Sequence, residues 1–202
     1  MNLALYLVTD RALCRGRTLS QLVEAAVRGG VTAVQLREKA LDTRAFLAEA
    51  RALKLLLKPL GIPLVINDRV DVALACEADG VHLGQGDMPI EDARRLLPAH
   101  VFLGLSVETM AHVHASASLP VDYLGVSPIF ATPTKTDTAR PWGLDGLREV
   151  RAHTKLPLVA IGGIHEGNAR ALREAGADGL AVVSAICAAE DPERAAAALR
   201  TP

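Results

Sequence analysis

Short polar clusters stand between the apolar runs of this chain, and their residue types suit anions or a metal. In order they are Thr9-Asp10, then Gln35, Arg37, Glu38 and Lys39, then Asn67-Asp68-Arg69. His82, Gln85 and Asp87 follow, then Ser106, a long loop from Ser127 to Trp142, Gly162-Gly163, and Ser184. Asp68 and Asp87 come after successive apolar runs, so two adjacent strands would bring both carboxylates to one ion. Two carboxylates completed by substrate oxygens suit Mg²⁺, which keeps waters and prefers phosphate company. The competing reading makes Asp68 a helix cap and Asp87 a turn residue ahead of Met88-Pro89. The chain has only five lysines. Lys39 and Lys135 fall in a polar cluster and in the longest loop, whereas Lys54 and Lys58, one helical turn apart, read as solvent-facing. His112 and His114 are two apart on a predicted helix and make a poor metal pair. His100, His153 and His165 read as surface or turn residues, and His82, inside Val81-His82-Leu83, as a satisfied core histidine.

The elements that must position these groups are legible from the apolar runs. They are Leu3–Val8, Ala33–Leu36, Pro63–Ile66, Gly80–Leu83, Val101–Leu105, Tyr123–Val126, Leu158–Ile161 and Gly179–Val183. Each is short, rich in Val, Leu and Ile, and continuous instead of alternating, as strands of a parallel sheet buried on both faces are. Amphipathic stretches lie between them. Thr18–Arg28 and Thr43–Leu57 show the clearest helical spacing. Shorter ones are Val70–Cys76, Ile90–Leu97, Glu108–Ala117, Gly143–His153, Glu166–Ala175 and Pro192–Leu199. Eight such units, at about 25 residues each, predict one domain over residues 1–202: a closed (β/α)₈ TIM barrel. An open doubly wound sheet would usually carry a glycine-rich loop after its first strand, where this chain has Thr9-Asp10-Arg11-Ala12. In a barrel, catalytic groups gather at the C-terminal strand ends, which is where the polar clusters fall. Ile161-Gly162-Gly163-Ile164 and Val182-Val183-Ser184 would follow strands seven and eight, where such barrels commonly bind phosphate through backbone N–H groups. A plain tight turn is the alternative there.

Composition narrows the function classes. Lys and Arg number 22 against 23 Asp and Glu, half the residues are hydrophobic, and 3% are aromatic. Near-neutral charge with few aromatics gives no footprint for nucleic acid or an anionic membrane surface. No apolar run approaches the roughly 20 residues of a membrane span, and MNLALYLVTDRALCR does not read as a signal peptide. Cys14, Cys76 and Cys187, far apart and in no C-x-x-C pair, suit buried thiols in a reduced cytoplasmic protein.

Taken in order, YLVTD, QLREK, INDR, DGVHLGQGD, GLS, DYLGVSPIFATPTKTD, VAIGGI and AGADGLAVVSAI closely resemble the thiamine phosphate synthase family, over Tyr6 to Ile186. The resemblance implies a (β/α)₈ transferase. Such an enzyme joins 4-amino-5-hydroxymethyl-2-methylpyrimidine diphosphate to a thiazole phosphate, releasing pyrophosphate. It further implies that Gln35, Arg37, Lys39, Asn67, Ser106 and Lys135 hold the pyrimidine diphosphate. Asp68 and Asp87 would ligate Mg²⁺, and Thr132, Thr134, Gly163, Val183 and Ser184 would hold the thiazole phosphate. Lys135, Ser106 and Arg37 would stabilise the departing diphosphate. Two positions depart from the family pattern. Ser127 stands where a glycine is common, and Glu108, which reads as a helix start, stands where a histidine is common.

The implied chemistry is a dissociative substitution that needs no protein nucleophile. Three rival readings stay open at this point. A thiazole tautomerase-like barrel would need the phosphate site without the diphosphate and metal set. A barrel isomerase would need an acid and a base, for which Asp10 and Asp122 could be offered. A non-catalytic thiazole phosphate-binding relative is the third.

Overall fold

A computed structural model describes residues 1–131 and 140–200. Eight parallel strands close into a barrel in chain order: β1 (Leu5–Val8), β2 (Ala33–Leu36), β3 (Leu64–Asn67), β4 (Gly80–Leu83), β5 (Phe102–Val107), β6 (Tyr123–Val126), β7 (Leu158–Ile161) and β8 (Gly179–Val182). Closure is made by β1 against β8, with Leu5 opposite Leu180, and no sheet edge remains open. Around the barrel run α1 (Leu19–Arg28), α2 (Thr43–Leu57), α3 (Val70–Ala75), α4 (Ile90–Leu96), α5 (Met110–Ser116), α6 (Gly143–His153), α7 (Glu166–Glu174), a short α8 (Ser184–Cys187) and α9 (Pro192–Arg200).

The predicted elements are all present, with ends displaced by a few residues for identifiable reasons. Thr18 is the cap of α1 and not its first turn: its Oγ1 accepts the Gln21 N–H, and the Gln21 side chain accepts the Thr18 N–H at 3.0 Å. Thr109 caps α5 in the same way, accepting the His112 N–H, so Glu108 does not start that helix but stands before it. At four residues α8 is too short for any periodic signal.

Strand residues alternate between two cores. Leu5, Leu7, Val34, Leu36, Leu64, Ile66, Val81 and Leu83 pack outward against the helices. Tyr6, Val8, Ala33, Val65, Tyr123, Val159 and Ala181 fill the barrel interior. Continuous apolar runs thus hide a period of two, with large side chains outside and a mixture of tyrosines and small residues inside.

The N-terminal face is fastened by a repeated device. Thr32, Asp79, Asp122 and Asp178 immediately precede the four even strands. Each accepts a backbone N–H at the start of the strand before: Leu5 at 3.0 Å, Leu64 at 2.8 Å, Leu103 at 2.7 Å and Leu158 at 2.8 Å. This corrects two expectations. Lys54 is not solvent-facing, because its Nζ pairs with Asp79 at 2.7 Å and its side chain is only 18% exposed. Asp122 cannot be the partner of Asp10 in acid–base chemistry, because it serves the opposite end of the barrel from the polar clusters.

Candidate active site

The C-terminal strand ends enclose a cavity of about 480 Å³. Gln35 comes from β2, with Arg37 and Lys39 just beyond it. Asn67 ends β3 and Asp68 follows, Asp87 lies past β4, and Ser106 stands on β5. Gly163 follows β7, and Val183 and Ser184 follow β8. All of these line the one cavity. Thr132, Thr134 and Lys135 lie outside the described residues.

On one side the cavity is charged. Asp68 leaves β3 with φ +63°, a left-handed conformation that aspartate tolerates better than most side chains. Its N–H donates to the His82 carbonyl at 2.9 Å, and its carboxylate is ion-paired with Lys39. Asp87 accepts the Gly84 N–H at 2.7 Å. Burial, and then the adjacent Asp68 carboxyl, hold the Asp87 carboxyl above its ordinary pKa against the opposing pull of Gly84 and Lys39. The Asp68 carboxyl thus disfavours the charge on Asp87, and a divalent cation held by both would relieve that cost. Among the described residues no group of three or more His, Cys, Asp or Glu is placed to hold a metal ion. A bare carboxylate pair leaves most positions to water and substrate oxygens, which fits Mg²⁺ and not a structural zinc.

Glu38, between Arg37 and Lys39, is a brace. It accepts the N–H groups of Lys39 at 2.8 Å and Ala40 at 2.9 Å, and the Arg11 guanidinium at 3.1 Å. Burial works against ionisation there, but these donors outweigh it and keep the Glu38 carboxyl below its ordinary range. The loop that presents Lys39 is fixed as a result.

Across the cavity, Gly163 has φ +66°. A Cβ there would stand 2.8 Å from Phe130 Cβ and 3.1 Å from the Ala131 carbonyl, so only glycine fits. Its own carbonyl accepts the Asn168 side-chain N–H at 2.9 Å, and Asn168 also caps the His165 N–H. The main chain around Gly163 is thereby held next to Ser184, which heads α8.

Sequence reading missed the floor of the cavity. His82, expected to be a satisfied core residue, is hydrogen-bonded but also lines the site, together with Tyr6 and Tyr123. Its Nε2 lies 2.9 Å from Ser106 Oγ and its Nδ1 lies 2.8 Å from Tyr123 Oη. Tyr123 Oη is 3.1 Å from Tyr6 Oη, which accepts from Gln35 Nε2 at 3.0 Å. Gln85 holds the same strand end, donating to the Ser106 carbonyl at 2.6 Å. The signal was available in the strand period: Gln35, Asn67 and His82 all fall on the inward-facing positions of their strands, and Asn67 is paired directly with His82.

A family model described as thiamine monophosphate synthase matches residues 5–186. A thiamine-phosphate synthase of Albidiferax ferrireducens is 72% identical over 198 residues, 98% of this chain and 90% of that protein. One from Vibrio parahaemolyticus is 56% identical over 192 residues, 95% of this chain and 94% of that protein. Among solved structures, a thiamine phosphate pyrophosphorylase from Pyrococcus furiosus superposes with a TM-score of 0.91 at 41% identity, covering 98% of this chain and 94% of that one. A 3-hexulose-6-phosphate synthase superposes with a TM-score of 0.67 at 16% identity, a likeness of fold alone.

Proposed function

The chain belongs to the thiamine monophosphate synthase family, and we propose that it makes thiamine phosphate by a dissociative substitution. The substrates are 4-amino-5-hydroxymethyl-2-methylpyrimidine diphosphate and 4-methyl-5-(2-phosphooxyethyl)thiazole, or the carboxylated tautomer of the latter. The products are thiamine phosphate and pyrophosphate. One observation carries this reading: a single cavity holds the Arg37, Lys39, Asp68 and Asp87 group on one side and the Gly163 and Ser184 main chain on the other. A diphosphate and a phosphate can therefore be held at once, with the reacting atoms between them.

In the reaction the methylene C–O bond to diphosphate breaks, the ring amino group feeds electrons to the cation, and the thiazole nitrogen takes the vacated bond. The chain needs to supply no nucleophile. Arg37, Lys39, Ser106 and Lys135 meet negative charge as it grows on the leaving group. Asn67 and Gln35 orient the pyrimidine, while Thr132, Thr134, Gly163, Val183 and Ser184 hold the thiazole phosphate for in-line attack. Mg²⁺ held by Asp68 and Asp87 would neutralise further charge on the diphosphate. The apolar inner wall of Val8, Val159 and Ile161 limits the water that could trap the cation. Cys14, Cys76 and Cys187 are free and buried, which supports a reducing, cytoplasmic setting. No described helix is long and apolar enough to cross a membrane.

The test is a Mg²⁺ titration of product formation with both substrates, repeated with Asp68→Asn and Asp87→Asn. Thiamine phosphate should form only with both substrates, and both variants should need more Mg²⁺. A tautomerase-like barrel would bind the thiazole phosphate and release no pyrophosphate.

A further inference from the structure

We infer that the hydrogen-bond chain across the barrel floor runs in one direction, and that this direction makes Ser106 a donor into the cavity with His82 as its positioning residue. The chain links five strands: Gln35, Tyr6, Tyr123, His82 and Ser106 come from β2, β1, β6, β4 and β5. Gln35 Nε2 has only protons to offer, so Tyr6 Oη accepts from it. The single Tyr6 proton then goes to Tyr123 Oη, and the Tyr123 proton goes to His82 Nδ1. With Nδ1 as acceptor, the neutral ring carries its hydrogen on Nε2 and donates it to Ser106 Oγ. The Ser106 proton is left to point away from His82.

Any other order, with the Gln35 amide as it stands, leaves one phenol accepting twice with its own proton unmatched. Tyr6 and Tyr123 are 1% and 0% exposed, and a buried hydroxyl proton without an acceptor is costly. Burial also raises both phenol pKa values, which keeps each a protonated link. Two glycines make room for the chain. A Cβ at Gly104 would fall 2.1 Å from Tyr123 Cζ, and one at Gly125 would fall 2.9 Å from His82 Cε1. Only a rotated Gln35 amide, with Oε1 on Tyr6, would reverse every link. The His82 tautomer distinguishes the two directions.

The consequence rests on the proposed reaction. A hydroxyl that already accepts a hydrogen bond is a stronger donor, and a donor is what the departing diphosphate requires. The reverse direction would present Ser106 as an acceptor and oppose the growing charge.

The experiment is ¹⁵N-histidine NMR of the full chain at neutral pH, with His82 assigned by its loss in His82→Gln. The expected result is the neutral Nε2–H tautomer in the wild type, lost to tautomer exchange in Tyr123→Phe. An Nδ1–H tautomer or an imidazolium at His82 would overturn the direction, whatever the protein is found to catalyse. Kinetics tests the positioning. His82→Leu should lower kcat about tenfold or more, the scale of one hydrogen bond to a charged group, with KM for the thiazole phosphate unchanged. His82→Gln, which returns an N–H near the Nε2 position, should recover much of the loss. In a Ser106→Ala background the His82→Leu change should cost little more. Full activity in a folded His82→Leu variant would contradict the positioning role.

Discussion

The Asp178 carboxylate accepts the backbone N–H of Leu158 at 2.8 Å and holds the Arg151 guanidinium at 2.9 Å. One side chain thus ties the start of β7 to the start of β8 and to α6, on the barrel face opposite the cavity. Asp178→Ala leaves the Leu158 N–H without its acceptor, so the variant should lose about 1–3 kcal/mol of stability. Urea unfolding checks this. Because the tie is remote from the site, kcat at a permissive temperature should not change; a selective loss of kcat without loss of stability would contradict the division of the barrel into a fastening face and a working face.

That division was only partly legible in the sequence. Eight continuous apolar runs between amphipathic stretches were enough for the barrel, because strands buried on both faces need no polar alternation. The same continuity hides which residues point inward, so His82 reads as core and nothing in the sequence singles out Tyr6 or Tyr123. Strand-end polarity located Gln35, Asp68, Asp87 and Gly163, because an expected barrel gathers such groups at its C-terminal strand ends. Glu38 differs only in its partners. It sits between two site residues in the sequence, yet three donors turn it into a brace, and no spacing rule carries that information. Lys54 misled for the same reason, since helical period predicts a face and not the aspartate waiting beyond it.

Asp87 gives a pH and metal signature with a definite sign. Its carboxyl pKa is raised by burial and by Asp68, so the folded state holds that proton more tightly than the unfolded chain. Stability from this group is present below the unfolded carboxylate pKa and is lost as pH rises through the higher folded value. At neutral pH without metal, Asp87→Asn should therefore raise Tm. Added Mg²⁺ should raise Tm of the wild type more than that of the variant at the same concentration. A fall in Tm for Asp87→Asn, or equal Mg²⁺ responses, would contradict the paired-carboxylate account.

At Gly163 the backbone has φ +66° and no space for a side chain. Gly163→Ala should cost about 1–2 kcal/mol from the left-handed conformation alone, and should displace the Phe130–Ala131 segment. Steady-state kinetics should show KM for the thiazole phosphate rising much more than KM for the pyrimidine diphosphate. Equal effects on both would move the phosphate subsite elsewhere.

Lys135 lies outside the described residues, and its role rests on the loop sequence FATPTKT that carries it. Lys135→Ala removes a positive charge where the leaving group becomes most negative. The expected loss is about 10²–10³ in single-turnover pyrophosphate release, or about 2.7–4 kcal/mol. Lys135→Arg should restore part of it, since a planar guanidinium does not reproduce a compact ammonium. A Lys135→Ala rate within about threefold of wild type would remove the residue from the diphosphate site.

The central claim is that one cavity holds both substrates and transfers the pyrimidine between them. Rapid-quench mixing of the protein with both substrates and Mg²⁺, following pyrophosphate and thiamine phosphate in the same samples, tests it most directly. The two products should appear together in equal amounts, and leaving out the thiazole phosphate should abolish thiamine phosphate. Tight binding of the thiazole phosphate with no release of pyrophosphate would contradict the claim.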